Sequence, residues 1–188
     1  MIGPIVQWVN ALLFFYYLAC YLIYLRLLLA AIKASVNQNR RQQTAWLDRV
    51  RCSPLTPPIS LLVPAHNEER SIVESVRSLL RLDYPEFEVI VTNDGSKDGT
   101  LAQLVEHFQL TQSDYLYLPQ IETRPVRGVY LSRTERRLIV LDKEAGGAKS
   151  DAINAAMNLA SKPYVCVVGA DSMLERDGLL RIMAPVVN

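Results

Sequence analysis

Ile59-Ser60-Leu61-Leu62-Val63-Pro64-Ala65-His66-Asn67-Glu68-Glu69 is the stretch on which the fold turns. It begins as a short, nearly continuous apolar run, the pattern of a strand buried on both faces rather than on one. A proline and a polar, acidic turn stop that run. Residues 69–82 then switch to helical period, with Ile72, Val76, Leu79 and Leu80 on one face. Strand, polar turn and helix in this order open a parallel α/β sheet.

Working outward, the same alternation repeats. Residues 87–92 read as a second buried strand, and Asp98 opens a helix to about residue 110, with Leu101, Leu104, Val105 and Phe108 at helical spacing. Residues 129–132 and 138–141 read as two more strands that can pair as a hairpin across the charged turn from Arg133 to Arg137. A helix over 149–160, a buried strand over 164–168 and a helix over 174–187 complete the pattern. The expectation is an α/β domain over 59–188, its mostly parallel sheet flanked by helices. There is no GxGxxG after the first strand, which argues against a dinucleotide-binding domain.

Toward the N-terminus the chemistry changes. Residues 6–25 are almost uninterruptedly apolar, and Asn10 is the only strongly polar side chain from Val9 onward. At about 1.5 Å per residue such a run covers the roughly 30 Å hydrocarbon core, so a transmembrane helix within an anchor over 1–34 is expected. A cleaved signal peptide would carry its positive charge ahead of the apolar run. Here Arg26, Lys33, Arg40, Arg41, Arg49 and Arg51 all follow it. The positive-inside bias therefore predicts a single-pass protein of the cell membrane, N-terminus out and globular part cytoplasmic. Arg26 is expected at the cytoplasmic edge, where it can snorkel to the headgroups. Residues 35–58 read as a basic juxtamembrane segment ending in a linker stiffened by Pro54, Pro57 and Pro58.

The net charge of +1 hides an asymmetry, because residues 1–51 carry six basic and one acidic residue while the remainder carries fourteen and eighteen. A basic cluster beside the membrane suits anionic lipid headgroups, and the acidic globular part lacks the basic stripe that nucleic acid requires. Cys20, Cys52 and Cys166 are far apart and form no CxxC pair, so neither a disulfide framework nor a zinc site is implied.

In open α/β sheets ligands bind beyond the carboxyl ends of the strands. The segments that follow the predicted strands are Pro64-Ala65-His66-Asn67-Glu68-Glu69, Asn93-Asp94-Gly95-Ser96, Asp142 to Lys149 with Gly146 and Gly147, and Gly169-Ala170-Asp171-Ser172. Each has a structural explanation by itself: Asn93-Asp94-Gly95 is a common turn, the glycines could start a helix, Asp171-Ser172 could cap one, and Lys149 could be a solvated charge. His66 beside a strand is ordinarily structural. Four such ends together favour a ligand. Asp94 can accept from the ring N–H of a base, and the backbone from Pro64 to Asn67 can hold base and ribose. Lys149 at a helix N-terminus suits a diphosphate, and Asp171 suits a divalent ion that bridges phosphates.

The runs Leu61 to Glu69, Val91-Thr92-Asn93-Asp94-Gly95-Ser96-Lys97-Asp98-Gly99-Thr100 and Gly146-Gly147-Ala148-Lys149-Ser150-Asp151-Ala152-Ile153-Asn154 resemble the successive signatures of family 2 glycosyltransferases with the GT-A fold. The resemblance is to the membrane-bound branch that includes poly-N-acetylglucosamine, hyaluronan and cellulose synthases, and it covers about residues 58–185. It implies a UDP-sugar donor, with Pro64, Ala65, Glu68 and Asp94 around the uridine and Lys149 near the diphosphate. It also implies Mg²⁺ or Mn²⁺ at a DxD motif, which aligns with Gly169-Ala170-Asp171 and keeps Asp171 as its one carboxylate.

The resemblance further implies inverting transfer of a hexose or N-acetylhexosamine to a glycan acceptor. The family's catalytic base lies well past its DxD motif, and the sequence stops at Asn188 before that region. The expectation is a donor-binding portion, a GT-A domain incomplete at its C-terminus and inactive alone. The alternative is a membrane-anchored nucleotide-binding or interaction protein without catalysis. In either case the strand at Tyr164 is expected at a sheet edge, which invites association.

Overall fold

The computed structural model describes residues 2–117 and 119–187, and for 2–7, 9, 35–46, 49 and 187 it describes the backbone only. The chain divides into two units, Met1–Asp48 and Arg49–Asn188.

The first unit is built from helix α1, Ile2–Cys52, whose last residues belong to the second unit. Within it Asn10–Ala34 is 25 residues long with mean hydropathy 2.0, long and apolar enough to cross a membrane. The apolar stretch runs past Arg26, because Leu27, Leu28, Leu29, Ala30, Ala31 and Ile32 follow it without another charge. The expected start of the span at Val6, and the side chains of Arg40, Arg41 and Arg49 in the basic cluster, lie outside the described side chains.

The helix continues to Cys52 and stops at Ser53-Pro54. Residues 37–43 are rich in Gln and Arg, which lose little rotamer freedom in a helix, whereas a proline disfavours the helical region for the residue before it. The remainder is tied down. Val50 is buried, Thr56 Oγ1 donates to the Val50 carbonyl, and Tyr84 Oη donates to the Pro57 carbonyl at 2.6 Å.

The second unit carries β1 (Ile59–Ala65), α2 (Ile72–Leu80), β2 (Phe87–Asp94), α3 (Thr100–Phe108), β3 (Leu110–Ser113), β4 (Val126–Ser132), β5 (Leu138–Lys143), α4 (Lys149–Leu159), β6 (Tyr164–Val167) and α5 (Gly178–Val187). The strands form one sheet in the order β3-β4-β5-β2-β1-β6. The pairs β1·β2, β1·β6 and β2·β5 are parallel, while β3·β4 and β4·β5 are antiparallel. The mostly parallel sheet and the hairpin across Arg133 to Arg137 are thus as read from the sequence.

Leu61, Leu62, Val63, Val89, Ile90 and Val91 are fully buried at the centre of the sheet. Each such side chain stabilises the fold by about 1.5–3 kcal/mol relative to exposure. The crossover β1-α2-β2 leads toward β5, and β5-α4-β6 leads back past β1. Two right-handed crossovers running in opposite directions lie on opposite faces of a sheet. Helix α4 covers the face of Leu62, Ile90 and Leu141 with Ala155, Ala156 and Leu159.

Three boundaries differ from the periodicity. Helix α2 starts at Ile72 rather than at 69, because Glu68 and Glu69 are engaged in the turn after β1. Helix α3 ends at Phe108, since Gln109 adopts the left-handed conformation (φ 49°) and the chain leaves as β3, a strand that the sequence did not announce. Helix α5 begins at Gly178, leaving Leu174 to Asp177 outside it.

Candidate functional site

Strands β1 and β2 end side by side, with Ala65 opposite Asn93, so the turns that follow them leave the sheet together. Asn67 takes a positive φ of 57° and turns the chain back across the second turn. Its N–H donates to Ser96 Oγ at 3.0 Å, and its Oδ1 accepts from the Lys97 N–H at 2.8 Å. The Glu68 N–H donates to Thr100 Oγ1 at 2.8 Å, the Glu69 N–H to Asp98 Oδ2 at 3.1 Å, and the Gly99 N–H to Glu69 Oε2 at 2.8 Å. His66 Nδ1 donates to the Asp94 carbonyl at 2.7 Å, the structural role expected of it. Slight burial raises the Asp98 carboxyl, but hydrogen bonds from Thr100 and from backbone N–H groups outweigh it and hold the group below its ordinary value.

The end of β5 adds the electrostatic centre. Lys143 is fully buried, and its Nζ donates to Asp94 Oδ1 at 2.9 Å, to the Glu144 carbonyl at 2.6 Å and to Asp151 Oδ2. A buried ammonium is costly unless every proton finds an acceptor, and here all three do. Asp94 Oδ1 accepts a second bond, from the Gly146 N–H at 2.9 Å. Hydrogen bonding to Lys143 is the main reason the Asp151 carboxyl lies below its ordinary value. The turns of β2 and β5 touch at Gly95 (φ 58°), where a Cβ would fall 2.5 Å from the Ala145 backbone nitrogen.

These ends surround a cavity of about 450 Å³, and Pro64, Ala65, Glu68, Asp94, Lys149 and Asp171 all line it. The six residues singled out in the sequence therefore share one cavity. Lys149 is the first residue of α4 and follows Ala148 in extended conformation, so its charge stands at a helix N-terminus. Asp171 lies in the turn after β6, closed by the Ser172 N–H on the Gly169 carbonyl at 3.0 Å. Helix α5 starts too late for Asp171-Ser172 to cap it. Glu175 is exposed and Asp177 half-buried, and they pair with Arg181 at 3.1 and 2.8 Å.

Sequence reasoning missed Lys143 and Asp151 as parts of this centre. The available signal was a lysine closing an apolar strand, a position where a charge needs buried partners. It also passed over Ala145 and Ala152, small residues that shape the wall.

Among the described residues no group of three His, Cys, Asp or Glu side chains could hold an ion unaided. Magnesium keeps several waters and takes one or two carboxylates together with substrate phosphates, so Asp171 fits an ion shared with a diphosphate. At Gly169 the carboxylate of Asp171 leans over the backbone. A Cβ placed there would lie 2.7 Å from Asp171 Oδ1 and 2.8 Å from Ser172 Oγ.

Comparison with known proteins gives concordant results. A Bacillus subtilis protein named Probable glycosyltransferase YdaM is 28% identical over 134 residues, 70% of this chain and 27% of its own length. The poly-beta-1,6-N-acetyl-D-glucosamine synthase of Staphylococcus epidermidis is 29% identical over 119 residues, 63% of this chain and 23% of its own. The chain thus spans about a quarter of the length of these curated relatives. The crystal structure of S. aureus TarS 1-349 in complex with UDP-GlcNAc superposes with TM-score 0.50 at 28% identity, covering 68% of this chain and 30% of that one. Residues 60–188, more than half of the chain, match the family Glycosyl transferase family 2. With its parallel strands, its convergent turns and this match, the chain belongs to glycosyltransferase family 2.

Proposed function

We propose that this chain holds the donor site of an inverting, membrane-bound glycosyltransferase that adds a hexose or N-acetylhexosamine from a UDP-sugar to a glycan. The observation that carries this is the meeting of Pro64, Ala65, Glu68, Asp94, Lys149 and Asp171 at one cavity beyond the carboxyl ends of the strands. Asp94 accepts from the uracil ring, Pro64, Ala65 and Glu68 surround base and ribose, and Lys149 with the α4 N-terminus neutralises the diphosphate. Asp171 would hold Mg²⁺ or Mn²⁺. When bound, such an ion supplies charge stabilisation to the leaving nucleoside diphosphate. The UDP-GlcNAc bound in TarS and the N-acetylglucosamine polymer named for the Staphylococcus synthase support this donor class.

The site described binds a donor without providing the base. Glu68 accepts from Ser71 Oγ at 2.6 Å, Asp94 is taken by Lys143 and Gly146, and Glu175 and Asp177 are held by Arg181. An inverting transfer needs a proton acceptor at the attacking hydroxyl. Donor binding without transfer by this chain alone is the corresponding reading, and Gly169 in place of a first DxD carboxylate favours it. Asn10–Ala34 anchors the chain in the cell membrane, with Arg26 and Lys33 toward the cytoplasmic side and the globular part in the cytoplasm. The domain limits that go with this are an anchor over 1–34, a juxtamembrane segment over 35–58 and the donor domain over 59–188.

Calorimetric titration of the detergent-solubilised full chain with UDP and Mg²⁺ tests the proposal. Wild type is expected to bind. Asp94→Ala removes a charged acceptor, about 1.5–3 kcal/mol or roughly ten- to a hundredfold in affinity. Asp171→Ala abolishes the dependence on Mg²⁺. Absence of binding at millimolar UDP sinks the donor site, and sugar transfer or UDP-sugar hydrolysis by this chain alone overturns the missing base.

A further inference from the structure

Lys143 does not line the cavity, yet it touches three of the parts that build it. It lies opposite Asp94 in the parallel pairing of β2 with β5, so the sheet register itself brings the ammonium to the carboxylate. Its second carboxylate, Asp151, stands in the first turn of α4 and also accepts from the Arg124 N–H at 3.2 Å through Oδ1. Its third acceptor is the carbonyl of Glu144, which opens the Gly146-Gly147 turn.

We infer that Lys143 is the positioning residue of the nucleotide site, clamping the Asp94 carboxylate and the α4 N-terminus in one fixed relation. The inference rests on the donor reading above. Two donors, Lys143 Nζ and the Gly146 N–H, both occupy Asp94 Oδ1. No protein donor to Oδ2 is present among the described residues, so the carboxylate keeps one free oxygen in a set orientation. That oxygen suits a ring N–H such as N3–H of uracil and repels the lone pair that cytosine carries at the same place. The same ammonium fixes Asp151, hence the first turn of α4 and the Lys149 that stands in it. Base recognition and diphosphate recognition are thereby held at a constant spacing. A network whose members share one buried charge couples more strongly than its separate pairs.

The clamp differs from a merely structural ion pair in what its loss does to selectivity. Lys143→Met leaves Asp94 and Asp151 facing each other without a cation, which destabilises the fold. Lys143→Met combined with Asp151→Asn removes the surplus charge, and the amide oxygen still accepts from Arg124. The experiment titrates the full chain and both variants, in detergent with Mg²⁺, with UDP and with CDP, and records their thermal melts. The inference expects wild type to prefer UDP. In the double variant the melt recovers toward wild type, UDP affinity stays down by about tenfold or more, and the UDP-to-CDP preference falls toward one. A folded double variant with wild-type UDP affinity and preference overturns the clamp while leaving the donor site standing. A wild type that binds neither nucleotide overturns the donor site, and the clamp with it. If the double variant does not fold, loss of UDP preference in folded Lys143→Arg, which cannot place three short bonds in the same buried space, supports the clamp, and retention overturns it.

Discussion

At Gly169 a single missing side chain separates this site from a paired-carboxylate motif. The glycine has no positive φ, and the atoms that a Cβ would meet are the free ends of Asp171 and Ser172. Such ends swing away at little cost, so Gly169→Asp is expected to fold with an unchanged melting temperature. With a second carboxylate beside Asp171, Mg²⁺-dependent UDP binding is expected to tighten about three- to tenfold, close to one charge-assisted contact. Calorimetry at fixed UDP and varied Mg²⁺ measures this, and an unaltered Mg²⁺ dependence would mean that position 169 does not face the ion. Asp94, Lys149 and Asp171 could be singled out from the sequence because each stands at the carboxyl end of a strand or in the turn that follows it. Lys143 could not, since its meaning lies in the register of β2 with β5, which pairs residues 49 apart in the chain.

Among the strands of the sheet, β6 has three of its four residues exposed. It closes the sheet on one side, with Tyr164, Val165 and Val167 at 40%, 43% and 45% exposure, whereas β1 and β2 beside it are buried. An edge strand with free backbone groups and apolar side chains on both faces is a template for pairing. The full chain in detergent is expected to associate with rising concentration. Val165→Lys with Val167→Lys is expected to keep it monomeric, read by light scattering after size exclusion, and a wild type that stays monomeric at all concentrations would refute this. Strands β1, β2 and β5 were legible because buried parallel strands are continuous apolar runs, whereas β6, expected to be buried over 164–168, is largely exposed because it stands at the edge of the sheet. Strand β3 was not legible, because Gln109 enters the left-handed region without the glycine or asparagine that would mark the break.

For the molecule as a whole, the segment before β1 tests whether the second unit begins at Arg49 or only at Ile59. Tyr84, between α2 and β2, donates to the Pro57 carbonyl, and burial pushes its phenol from 10.0 up to about 12. The folded chain keeps this proton to higher pH than the unfolded chain does. Its contribution to stability is therefore complete below about pH 10 and is lost as pH rises toward 12. Lys162, raised by its hydrogen bond to Glu86, acts in the same direction. Denaturant unfolding across this alkaline range is expected to show falling stability in wild type. Tyr84→Phe is expected to be weaker by about 1 kcal/mol at neutral pH, the worth of one hydrogen bond, and to decline less steeply. An equally steep decline would separate Tyr84 from the effect.

The sequence by itself determined the α/β class, the helix apolar enough for a membrane and the four polar strand ends. All three are local properties: the period of apolar residues, the length of a run and the residue type that follows a strand. Only the tertiary structure decided that residues 50–58 pack onto the domain and that Lys143 joins Asp94 to Asp151. Those depend on which strands lie side by side and in what register, and a buried charge shows its partners only when the chain has brought them within hydrogen-bonding distance.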